Sequence, residues 1–480
     1  MTASPKDLSA AIAANRFGLG ARPGDLALVA RDPADWLTRQ LRGVPPVLAG
    51  PGLLPSAETL GRVIEMRQQV AEERKRQKQD KDEDGTQVAA ALKLPPIYRP
   101  VYVDAIVARF THSVRTDRPF LERITQFWTN HFTVSIDKIA VLGLAGAMER
   151  EAIRPHVTGR FGDLLLAVEQ HPAMLLYLDN HASIGPNSRL ARLAARRASN
   201  RKIGVNENLA REILELHTLG VDGGYTQADV TTFAGAISGW SIGGQDMNRR
   251  LARLGADKGT PGEFLFREAF HEPGAKQLLG KSYGDDGVKQ GEAILRDLAV
   301  SPRSARHICT KLARHFIADD PPTSAVERLT QAWLESGGHL PAVYAALIDA
   351  PECWTQPLAK FKTPSDYIVS AYRALDIPVR DGRRALQPFE ALGQRNLMPG
   401  SPAGWPDTSA DWDGSSALLK RIAWADVVAQ RMGDARNARE LAPLLLGATL
   451  SGETATAIAR AESGAQALTL LLASPEFMRR

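Results

Sequence analysis

The sequence predicts a mainly α protein, a large multi-helix domain with one or two small β-hairpins. Three observations carry this. Apolar residues recur three and four positions apart along most of the 480 residues, as the face of an amphipathic helix requires. Strand-like alternation is confined to Phe264-Leu265-Phe266, which is followed by the turn-forming His271-Glu272-Pro273-Gly274. The composition, 44% hydrophobic and 24% charged, is that of an ordered globular chain.

Taken in order, Pro5–Asn15 and Pro33–Leu41 read as short helices of an N-terminal helical segment covering 1–70. The Gly18–Gly24 loop between them has phosphate-loop glycines but follows a helix instead of a strand, so it reads as a sharp turn. From Glu72 to Asp84, 11 of 13 residues are charged, which makes 71–94 a solvated helix extension or a disordered insertion. A continuous helical body is expected over 95–480. Its helices are Phe120–Thr133, Leu142–Ile153, Phe161–Gln170, Asn208–Leu219 and Gln227–Ile237, then Gly287–Leu298, Ser304–Ala318, Thr323–Ser336, Leu340–Asp349 and Ser365–Leu375. A hairpin near 264–283 and a Pro/Gly/Trp loop at 398–407 interrupt it.

Several function classes are excluded. No apolar run approaches the roughly 18 residues of a membrane span. The net charge of +5 is spread along the chain, and basic and aromatic residues are not interleaved, so nucleic acid is not an expected partner. The one concentrated basic stretch, Arg189 to Lys202, reads as solvated. Cys309 and Cys353 read as buried thiols. The first residues carry neither an apolar signal core nor a twin arginine, which predicts a cytoplasmic protein, or a periplasmic one if translation starts further upstream.

Three stretches concentrate polar groups inside otherwise apolar helices. In Phe127-Trp128-Thr129-Asn130-His131-Phe132, His131 lies beside the aromatic stripe, as a hydrogen-bonded core histidine or as a ligand or base. In Asn206 to Gly220, Asn208, Arg211, Glu212 and Glu215 share one face. The two carboxylates repel unless a cation, from Arg211, Arg201 or a metal, compensates them. On an ideal α-helix His217 points roughly 140–160° away from the Glu212/Glu215 line, so this helix alone makes no Glu-x-x-His metal site. In Asp222 to Val230, Thr226 caps a helix with Asp229 three residues on. Gly239-Trp240-Ser241-Ile242-Gly243 has the letters of a nucleophile elbow without the preceding strand.

These stretches, in this order, resemble a large bacterial family known only as a domain of unknown function. The resemblance is carried by Asn15-Arg16-Phe17-Gly18-Leu19-Gly20, Phe127–Phe132, Asn206–Glu212 through Tyr225–Val230, His271-x-x-Gly274-x-Lys276, Lys311-Leu312-x-Arg314-His315-Phe316 and Gly404-Trp405-Pro406. It runs from about Ala11 to the C-terminus and implies a mainly helical fold. It also implies an expected partner: members are often encoded beside a twin-arginine-exported family similar to alkaline phosphatases and sulfatases. Where the resembled family itself usually shows His-Asp before the Gly-x-Lys step, this sequence has His271-Glu272.

Two readings follow. As an enzyme, the chain would use Glu212, Glu215, His217 and His131 as catalytic groups and Arg211, Lys276 and Asn208 to hold an anionic substrate. Its cofactor would be a divalent or transition metal held by His131, His217, His271, Glu272 and Asp229, since imidazoles with carboxylates suit zinc, manganese or iron. As a non-catalytic binding or assembly protein, it would use the polar helices as ion-pair networks and engage the exported partner or an anionic polymer through the Arg189–Lys202 stretch and an exposed Trp405 in the 398–407 loop.

Overall fold

The computed structural model describes residues 5–79, 95–196, 204–244, 259–355 and 358–480. They are mainly helical, with two small antiparallel pairs of strands. One hydrophobic core runs from Ala10 to Met478. Helix Ser56–Gln79 carries the charged run as far as Gln79, and the rest of that run lies outside the described residues. The same holds for Arg197, Arg201 and Lys202 of the basic stretch.

The expected hairpin forms differently. Strand β1 (Trp240–Ile242) pairs with β2 (Phe264–Phe266), Ser241 opposite Leu265. The true hairpin is β3 (Lys276–Leu278) with β4 (Lys281–Tyr283). Its two-residue turn, Leu279-Gly280, has positive φ at both positions, the geometry that matches the twist of flanking strands. Ser241 lies within β1; it donates to the His181 carbonyl at 2.9 Å and accepts from Arg267 Nε, so no elbow forms.

The N-terminal segment is embedded in the helical body. Arg16 donates to the Cys353 carbonyl at 2.7 Å, and Arg123 to that of Gly18 at 2.7 Å. Arg373 donates to the Gly20 carbonyl, where a Cβ on Gly20 (φ 98°) would sit 2.6 Å from Ser370 Cβ. Only glycine permits that approach.

Three helical segments widen into single π-turns: Ala13–Phe17, Glu149–Ile153 and Ile213–Thr218. A π-turn closes hydrogen bonds five residues apart and so realigns side chains that an α-helix would splay. The second one lets Glu149 accept from Arg154, five residues on, at 2.7 Å. Arg154 also donates to both oxygens of Glu122 at 2.7 Å, and Arg109 lies 2.9 Å from Glu149. Glu122, Glu149 and Arg154 are all buried. Burial opposes ionisation of Glu122, but the charge of Arg154 outweighs it and holds the carboxylate well below its ordinary range.

Candidate functional site

A cavity of about 450 Å³ opens between helix Pro119–His131, helix Pro302–Phe316 and the segment from Thr363 to Asp411. Helix Pro302–Phe316 begins with proline at its first position, where the missing N–H costs nothing. It buries Ile308, Cys309, Leu312, Ala313 and Phe316. The spacing puts Lys311 and Arg314 on the other side and His315 at the edge of the buried stripe, and all three line the cavity.

The opposite wall is the Pro/Gly/Trp loop. Asn130 grips it twice, donating to the Trp405 carbonyl at 2.9 Å and accepting from the Trp405 N–H at 2.8 Å. At Gly404 (φ 86°) a Cβ would fall 2.4 Å from the Asn130 carbonyl oxygen, so this close approach requires glycine. Trp405 is half-buried with its ring 5.9 Å from that of Trp412. The loop is therefore a wall of the cavity, and Trp405 is not the free surface anchor that the sequence led us to expect.

Two histidines face this space. His315 donates from Nδ1 to Asp407 Oδ2 at 2.7 Å. That assigns the proton to Nδ1 and leaves the Nε2 lone pair, which is buried without a hydrogen-bond partner. Burial lowers the His315 pKa, with Asp407 opposing. Burial would raise Asp407, but the charge of His315 and its hydrogen bond prevail and bring it down to about 2. His131 is fixed differently. Its Nε2 lies 3.2 Å from the His217 carbonyl, which can only accept, so Nε2 carries the proton. Its Nδ1 accepts from Lys311 Nζ at 2.9 Å. Burial, with the nearby Lys311 ammonium, pushes His131 well below the usual histidine range, keeping it neutral. Burial also lowers Lys311 to about 8, with Arg314 adding to the effect and Asp407 opposing it.

Of the catalytic residues expected from sequence, only His131 lines this cavity. His217 stands behind it. The ring donates from Nδ1 to Glu169 Oε1 at 2.7 Å, in a pair that is almost wholly buried. The α-helical angle expected between Glu212 and His217 does not apply. The chain from Ile213 to Thr218 is a π-turn, in which five residues come close to one turn. Glu212 is half-buried, and that burial raises its pKa. Glu215 accepts from the Tyr225 hydroxyl at 3.5 Å. Arg211 forms no ion pair with either of them, although its charge partly offsets the rise at Glu212; it pairs with Glu207 at 3.1 Å and donates to Gln227. Asn208 is exposed, its N–H donating to the Asn206 side chain.

The five expected metal donors do not converge. Asp229 completes a capping box with Thr226 and accepts from the Leu279 N–H at 2.9 Å. Glu272 accepts from the backbone and side chain of Asn187, and His271 Nδ1 donates to the Ser238 carbonyl. His131 and His217 are engaged as described. Among the described residues no group of three or more His, Cys, Asp or Glu is placed to hold a metal ion. Lys276 is not at an anion site either, because its ammonium is spent on the carbonyls of Glu272, Pro273 and Gly274.

Lys311, Arg314, His315 and Asp407 went unselected, although the first three stand in one of the stretches that carry the family resemblance. Over residues 12–479 the chain matches the family described as a protein of unknown function, DUF1800, and it belongs to that family. No curated protein and no solved structure matches it. Among the described residues no helix is long and apolar enough to cross a membrane.

Proposed function

We propose that the chain is an enzyme that binds a small anionic substrate in this cavity and transfers protons on it through His315. The observation that carries the reading is the His315–Asp407 pair. Its Nδ1 is locked by a carboxylate at 2.7 Å, its Nε2 is buried without a hydrogen-bond partner, and the residue lines the cavity. A histidine so oriented is built as a general base. Lys311 and Arg314 flank it on the same helix face, and Arg109 and Arg395 add positive charge to the lining. Of the lining carboxylates, Asp366 is paired with Arg123 and Arg480, Asp407 has Lys360 at 3.8 Å and Arg480 at 3.9 Å, and the exposed Asp411 accepts from Thr408. The net field therefore favours an anion. The alternative, assembly with an exported partner, is weaker where Trp405 joins the cavity wall; its other surface, Arg189 to Lys202, lies partly outside the described residues.

Two results are expected. With pyruvate as a small anionic probe carrying exchangeable C–H bonds, wild-type protein should speed deuterium incorporation from D₂O, and His315→Asn should lose about a hundredfold of that rate. Equal rates in the two proteins would count against His315 as the base. Affinity for inorganic sulfate, followed by calorimetry, should be present below pH about 8 and fall as pH rises through it, because Lys311 then loses its charge. Lys311→Met should flatten that dependence. A pH-independent affinity in wild type would remove Lys311 from the site.

A further inference from the structure

Among the described residues, two of the three fully buried lysines have an anionic or carbonyl partner. Lys360 pairs with Asp319 at 2.5 Å, and Lys276 is wrapped by three carbonyls. Lys362 donates to Ser370 and lies 4.4 Å over the Phe477 ring, but it does not line the cavity. Lys311 differs from all three. It lines the cavity, and the hydrogen bond described for it goes to the neutral ring of His131. Among the described residues no carboxylate forms an ion pair with it.

That partner matters chemically. Because the His217 carbonyl holds the proton on His131 Nε2, Nδ1 is an acceptor only. An ammonium or a free amine can donate to it equally. When Lys311 is deprotonated, one N–H stays on His131 and the nitrogen lone pair is left for the cavity. A carboxylate in the same place would instead hold the ammonium form. Four positions on along the same helix, His315 also lines the cavity, and its buried Nε2 has no hydrogen-bond partner.

We propose that Lys311 is an amine nucleophile that forms an imine with a small oxo acid, its carboxylate held by Arg314 and its carbonyl turned to Lys311. This rests on the anionic-substrate reading and names the substrate class for that cavity. The ammonium first releases one proton. The nitrogen pair then bonds to the carbonyl carbon as the C=O π pair moves to oxygen. His315 takes a proton from nitrogen and returns it to that oxygen, giving a carbinolamine. The nitrogen pair then forms C=N as the hydroxyl departs, taking up the proton first released to leave as water. In sum, an ammonium and a carbonyl give an iminium and one water, with two of the three ammonium protons on the water and no change of oxidation state. The depressed basicity of Lys311, about 8, keeps a useful fraction of free amine near neutrality.

The test is to incubate the full-length protein with pyruvate and cyanoborohydride, which reduces imines in place, and to map adducts by peptide mass spectrometry. Lys420, exposed on helix Ser415–Met432, is the control within the same molecule, so no variant need fold. Lys311 should be labelled more than about tenfold faster than Lys420, saturably, and excess sulfate should suppress it. Labelling of Lys311 no faster than Lys420 overturns the imine; if sulfate still binds, the anion-site reading stands without it. Absence of both adduct and sulfate binding would bring down the two together. As a second check, Lys311→Arg should keep sulfate affinity and abolish the fast adduct; fast labelling that persists elsewhere in that variant would also overturn the assignment.

Discussion

Replacing Arg154 by leucine is expected to lower the free energy of unfolding by about 3–5 kcal/mol, measured by urea denaturation. The side chain is 1% exposed and neutralises two carboxylates, Glu122 and Glu149, that are 2% and 3% exposed. Without it both would be charged in a medium that cannot solvate them, apart from the help of Arg109 and His112 at the edge of the cluster. The cost should shrink as pH falls and the carboxylates take up protons. Adding Glu122→Gln to Arg154→Leu should recover part of the loss, since much of the penalty is the unpaired charge. A variant as stable as wild type would show that the cluster is solvated.

Asp366→Asn is expected to cost a similar amount, about 3–5 kcal/mol. Asp366 bridges two buried guanidiniums, with Arg123 at 3.0 Å and Arg480 at 3.1 Å. Burial opposes its charge, but the two arginines win and hold the carboxyl far below its ordinary range. A carboxylate depressed on folding stabilises above its unfolded pKa, about 3.9, and that contribution disappears as pH falls towards the folded value. Wild type should therefore lose stability on acidification, and the variant should show less of that dependence. The variant should also blunt the His315 site, because Arg480 donates to the His315 carbonyl at 2.8 Å.

The helical class was legible because periodicity survives folding: the stripes of helix Pro119–His131 and helix Pro302–Phe316 bury the residues their spacing assigns to the core. The capping box at Thr226 and Asp229 was legible for the same local reason. The site was not. Lys311, Arg314 and His315 occupy the polar side of an amphipathic helix, which in sequence cannot be told from a solvated face. What makes them a site is Asp407, 92 positions from His315, brought over by a loop that Asn130 holds. The π-turn at Ile213–Thr218 hid the relation of Glu212 to His217, because a helical wheel presumes 3.6 residues per turn. Glu272, Lys276 and Asp229 looked functional because they are polar groups beside turns. Their partners are backbone N–H and carbonyl groups and the side chains of Asn187 and Thr226, so they fasten those turns.

The most direct test of the account is histidine NMR during a titration with inorganic sulfate, reading the ring of His315 assigned through His315→Asn. A saturable shift of that resonance is predicted in wild type, abolished in Arg314→Gln while the other histidine signals keep their positions. A His315 signal indifferent to sulfate, or one that shifts equally in Arg314→Gln, would contradict an anion site beside this base.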